Sequence, residues 1–101
     1  VVSNGALSVQ AATGEVAWEG RPIPLPDTEA RLLAALARHA GSVLTWADLL
    51  NEVWGTAESA GGREMVRTTV YRLRRHLGRR NAPPDLVVAA RGQGYTMPRL
   101  P

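Results

Sequence analysis

Eight arginines fall between positions 63 and 91 of this 101-residue chain: Arg63, Arg67, Arg72, Arg74, Arg75, Arg79, Arg80 and Arg91. All twelve basic residues of the chain are arginine, against nine acids. Arginine carries a permanent charge on a planar fork that suits phosphates and guanine edges. An alanine- and arginine-rich chain is also what a GC-rich genome tends to encode, so placement decides and the count does not. Val66, Val70, Leu73 and Leu77 recur at i, i+4, i+7 and i+11. At about 100° per residue the last three lie within about 40° of Val66 on a helix. The opposite side carries Arg74, Arg67, Tyr71, Arg75, Thr68 and Arg72, with Glu64 alone opposing them. A cationic face of this kind repels itself unless an anion faces it. A solvated face usually mixes signs, and this one does not. Duplex DNA fits: its major groove admits a helix, phosphates flank it, and arginine reads guanine.

Other chemistry finds little support. His39 and His76 have no companions in the sequence, and no Ser/His/Asp order, paired carboxylates or metal-ligand spacing is apparent. Gly61-Gly62 is not a phosphate loop, because no lysine-serine or lysine-threonine pair follows it. There is no cysteine, which removes disulfides and thiolate chemistry. The expectation is a non-enzyme with no catalytic residues, no metal and no cofactor.

The cationic segment must be positioned by the elements around it. Residues 5–9 and 15–18 alternate as short strands with a turn at Thr13-Gly14. Glu19-Gly20 turns again into a third, proline-flanked strand over Ile23 and Leu25. A first helix is predicted over 27–39, with Asp27 as N-cap, Glu29 in the first turn, an apolar stripe of Leu32, Leu33, Leu36 and Ala37, and Gly41 as the stop. A second helix over 45–54 is capped by Thr45, with Asp48 three residues on giving a weaker version of a capping box, and ended by Gly55. Residues 55–62 are small and polar and read as a loop. The third helix runs over 63–78 and Gly78 can terminate it. Residues 81–84 form a loop. Residues 86–90 and 95–97 form a terminal hairpin joined by 91–94, where Gly92 and Gly94 supply positive φ.

This order resembles the winged helix-turn-helix output domain of OmpR/PhoB-type bacterial response regulators. The resemblance covers nearly the whole chain. It runs from Gly20…Leu25 with Glu29 and Leu32-Leu33, through Gly41-Ser-Val-Leu-Thr45, Asp48-Leu-Leu50 and Val53-Trp-Gly55. It continues in Val66…Val70-Tyr-Arg-Leu-Arg-Arg-His-Leu77 and Arg91-Gly-Gln-Gly-Tyr95. It implies an α+β fold: a small N-terminal antiparallel sheet, three helices and a C-terminal β-hairpin wing. It implies sequence-specific binding of double-stranded DNA, with helix 63–78 in the major groove and wing 86–97 at the minor groove. By position, Arg72, Thr68 and Thr69 approach bases or phosphates, while Arg63, Arg67 and Arg74 contact phosphates. Tyr71 and Arg75 share that face. Trp54 turns its indole nitrogen toward a phosphate, Arg91 reaches the minor groove, and Tyr95 donates to a phosphate. Loop 55–62 corresponds to a segment that touches RNA polymerase, and pairing on repeated half-sites implies self-association. The family usually caps its first helix with threonine after the position of Leu25, where this chain has Pro26-Asp27. A winged helix used to hold a partner protein is the alternative reading.

Length and composition agree with one domain over 1–101. An apolar fraction of 45% with 21% charged residues is globular. No run approaches the roughly 18 apolar residues of a membrane span, and no signal-peptide pattern opens the chain. A cytoplasmic protein without membrane partners is expected. The first residue is Val1 rather than methionine, so the chain reads as a C-terminal piece of a longer regulator.

Overall fold

A computed structural model describes residues 1–10, 12–56 and 60–101. The chain opens with a four-stranded antiparallel meander, β1 (Val2–Asn4), β2 (Leu7–Gln10), β3 (Glu15–Trp18) and β4 (Arg21–Pro22). Three helices follow: α1 (Asp27–Arg38), α2 (Trp46–Leu49) and α3 (Gly62–Arg79). A second sheet of three strands has the order β5-β7-β6, built from β5 (Val43–Thr45), β6 (Val88–Ala90) and β7 (Gly94–Thr96). This is the winged helix-turn-helix architecture expected from the sequence.

The N-terminal sheet holds one strand more than the alternation predicts. Gly5, where the alternation predicts the start of a strand, is in the left-handed region (φ 58°) and turns β1 into β2. The third predicted strand, over Ile23 and Leu25, is replaced by β4 two residues earlier. Glu19 and Gly20 both have positive φ, a tight turn that pairs Arg21 with Trp18. Ile23 still donates to Val16 O (2.8 Å), and Pro24 and Pro26 lack an N–H to carry the ladder on.

Helix α1 starts where predicted but not by the predicted cap. Pro26 is the N-cap, its φ of −56° setting the entry, and Ala30 N donates to its carbonyl (3.0 Å). Asp27 is already inside the helix, so its carboxylate lies along the surface and pairs with Arg31 (3.1 Å). Thr45 caps α2 as predicted. Its hydroxyl accepts from Asp48 N (3.0 Å) and Asp48 Oδ2 accepts from Thr45 N (3.0 Å). Residues Leu50–Trp54 continue the helix as a π-helical turn, which Gly55 ends in the left-handed conformation. Thr45→Ala should cost about 1 kcal/mol of unfolding free energy. Urea melts of the two proteins measure this, and an unchanged midpoint would deny the cap its role.

Helix α3 buries the predicted stripe, with Val66, Val70, Leu73 and Leu77 at most 1% exposed. They pack with Leu32, Leu33 and Leu36 of α1 and Leu49 and Leu50 in one core, covered on the far side by Leu7, Val9 and Val16 of the sheet. Gly78 does not end α3. The helix runs one residue further and Asn81 takes the left-handed position (φ 60°), its neighbour Ala82 donating back to Leu77 O (3.0 Å). Asparagine tolerates that conformation better than most residues. In the wing, Pro84–Leu86 is a 3-10 turn, so the first hairpin strand begins at Val88. Gly92 does have positive φ (73°), but Gly94 does not. Its lack of a side chain serves a close approach instead: a Cβ there would fall on Leu44 O and lie 2.8 Å from Thr45 Cα.

Candidate nucleic-acid interface

With the stripe of α3 buried, its opposite side is left facing out. Arg63, Arg67, Tyr71, Arg72 and Arg75 are exposed, and Thr68 is half-buried. Tyr71 is 61% exposed and lies under the Arg75 guanidinium, 5.8 Å from ring centroid to Cζ. Arg67 Nη1 reaches Glu64 one turn back at 3.5 Å, with both side chains about two-thirds exposed. A contact that exposed holds an arginine only weakly. Thr69 donates its hydroxyl to Met65 O within the helix (2.9 Å).

Arg74 and Trp54, also predicted, make contacts with the rest of the chain. Arg74 is half-buried and donates from Nε (3.1 Å) and Nη2 (2.8 Å) to Val87 O. It fastens α3 to the start of the wing. Trp54 closes the π-helical turn and packs half-buried against the core.

The wing returns to α3 because β7 lies between β5 and β6. Its partner Thr45 opens α2, so the strand ladder and the helix cap share one residue. This brings Arg91 of the wing turn and Tyr95 of β7 into one cleft of about 130 Å³ with Arg63 and Arg67 of α3. Trp46 also lines this cleft and is not among the residues that the sequence singles out. Its one legible signal is its place directly after the cap Thr45. The structure therefore groups Arg63, Arg67, Arg91 and Tyr95 around a cleft, and sets Tyr71, Arg72 and Arg75 on the outer face of α3.

Both histidines have carboxylate partners that the sequence did not disclose. His76 Nδ1 lies 2.6 Å from Oε1 of Glu29, which is 3% exposed. Glu29 sits at i−3 and i−4 from Leu32 and Leu33, on the buried side of α1, and the pair ties α1 to α3. His39 Nε2 and Arg38 Nη2 both meet Glu52 (3.1 and 3.0 Å), joining the end of α1 to the π-helical turn. Residues 57–59, the middle of the loop assigned to RNA polymerase, lie outside the described residues. Among the described residues, no helix is long and apolar enough to cross a membrane.

Comparison with known proteins places this geometry. Residues 20–97 match the family model described as "Transcriptional regulatory protein, C terminal". The chain is 35% identical over 97 residues to the sensory transduction protein RegX3 of Mycolicibacterium smegmatis, covering 96% of this chain and 42% of that protein. It is 35% identical over 95 residues to the DNA-binding response regulator MtrA of the same organism, covering 94% of this chain and 41% of MtrA. The chain thus spans about two-fifths of the length of these relatives. Among solved structures, the Klebsiella pneumoniae RstA DNA-binding domain in complex with the RstA box superposes with a TM-score of 0.80 at 25% identity. That match covers 97% of this chain and 96% of the other.

Proposed function

This chain belongs to the OmpR/PhoB-type family of transcriptional regulatory protein C-terminal domains, and from that premise we propose that it binds double-stranded DNA sequence-specifically to regulate transcription. One observation carries the reading. The outer face of α3 is exposed and almost wholly cationic, and Arg91 of the wing faces the same cleft as Arg63 and Arg67. In this reading α3 enters the major groove and the wing lies along the minor groove. Arg72, with Thr68, Thr69, Tyr71 and Arg75, faces bases and flanking phosphates. Arg63, Arg67 and Tyr95 hold the backbone at the cleft, Arg91 reaches from the cleft into the minor groove, Trp54 approaches a phosphate, and Arg74 acts through the wing it fastens. The family is a transcription-regulator family and not a class of enzymes, and the domain works without catalysis, in the compartment that holds the DNA. Self-association on repeated half-sites would supply the specificity that one small domain lacks. Contact of residues 55–62 with RNA polymerase belongs to the same proposal.

Arg72→Ala and Arg91→Ala should each weaken binding by about 1–3 kcal/mol if they read bases. Fluorescence anisotropy on cognate and scrambled duplexes separates the roles, because equal losses on both would make the contact one to phosphate alone. The function itself is tested by retention on a random-sequence DNA pool at graded salt, with sequencing of the retained fraction. An enriched repeated motif supplies the operator. No retention at low salt by the folded domain would defeat the DNA reading in favour of a protein partner.

A further inference from the structure

Trp46 lines the cleft between α3 and the wing, and the residue before it is fixed twice. Thr45 before it is held by the capping box of α2 and by pairing with Gly94 of β7. The Arg63 guanidinium carbon lies over the Trp46 ring, 6.0 Å from its centroid. An aromatic face attracts and orients a guanidinium through its quadrupole. Arg63 has no carboxylate partner among the described residues, whereas Arg67 beside it leans on Glu64. The difference matters chemically. A carboxylate would hold an arginine in place but cancel its charge, while an indole holds it and leaves the charge and the edge N–H donors for an anion. Arg91 stands in the same cleft, and no acidic residue lines it among the described residues.

We infer that Trp46 is a positioning residue that holds Arg63 on a DNA backbone phosphate seated in the cleft between the start of α3 and the wing. This rests on the DNA-binding reading above. The test is a double-mutant cycle on a fluorescent random-sequence duplex, with salt dependence recorded for wild type, Trp46→Leu, Arg63→Ala and the double variant. Trp46→Leu should weaken binding roughly threefold to tenfold, the scale of one cation–π contact. It should lower the salt slope by about 1, as loss of a single phosphate contact does. Arg63→Ala should lower the slope equally, the double variant should bind no worse than Arg63→Ala, and Trp46→Phe should restore most of the loss. A Trp46→Leu loss with an unchanged slope, or a double variant showing the product of both losses, would overturn the inference and leave Trp46 a packing residue. If Trp46→Leu does not fold, Trp46→Met runs the same cycle, with a flexible unbranched side chain that fills irregular gaps and no π face. Wild-type protein that fails to bind at low salt overturns the DNA reading itself, a result distinct from either.

Discussion

Binding to a DNA duplex should weaken about 500-fold as salt rises from about 50 to about 200 mM. Each phosphate neutralised contributes about 0.9 to the slope of log affinity against log salt, because condensed counterions are released. The sequence suggests roughly five to eight such contacts. The structure favours the lower end, because Arg63, Arg67, Arg72, Arg75 and Arg91 are exposed while Arg74 is held by Val87 O. Five contacts give a slope near 4.5, and a fourfold rise in salt then yields the stated loss. Arg67 counts among the five because its exposed contact with Glu64 is too weak to compete with a phosphate. Anisotropy titrations at several salt concentrations read the slope directly. A slope near zero would remove the electrostatic basis of the proposed function. A slope near 7 would mean that Arg74 leaves Val87 and that Arg79 and Arg80 at the end of α3 also reach the backbone.

What the sequence discloses follows the range of the interactions. Helix α3 is legible because Val66, Val70, Leu73 and Leu77 are neighbours on one face, and their burial forces the arginines outward. The cap of α2 is legible because Thr45 and Asp48 satisfy each other across three residues. The missed features have distant partners. Glu29 meets His76 across 47 positions, and Arg74 meets Val87 across 13. Strand β5 is only three residues long, and its pairing with β7 lies about fifty positions away. The sequence therefore predicts only a two-stranded hairpin for the wing. Asp27 shows the opposite limit, because the cap moved by one residue to a proline whose backbone already has the required shape. The basic face was thus visible from composition and period. Its closure into a cleft was not, since that depends on β5 drawing the wing against the start of α2.

That closure makes Gly94→Ala the substitution with the largest expected structural effect, a loss of about 3 kcal/mol or more. An added Cβ would fall on Leu44 O, with Thr45 Cα at 2.8 Å and Leu44 C at 2.9 Å. All three are backbone atoms, so no rotamer change relieves the overlap. Either β7 moves off β5 or the chain before α2 shifts, and both undo the ladder that joins Thr45 to Gly94. For a domain of this size about 1 kcal/mol corresponds to roughly 4–8 °C, so the melting temperature should fall by at least about 12 °C. Gly92 is the internal control. Its φ is 73° and nothing lies within 4 Å of a Cβ built there. Gly92→Ala should therefore cost only the left-handed strain of about 1–2 kcal/mol, and Gly92→Asn less. The two glycines stand two residues apart in one turn-and-strand segment, yet one is required by contact and the other by conformation. Thermal melts of the three variants separate these causes, and a Gly94→Ala protein melting within a few degrees of wild type would refute the close approach. DNA affinity should follow the same order, because displacing β7 carries Arg91 and Tyr95 away from Arg63 and Arg67. Gly92→Asn keeps them together, so its binding should stay close to that of the parent chain.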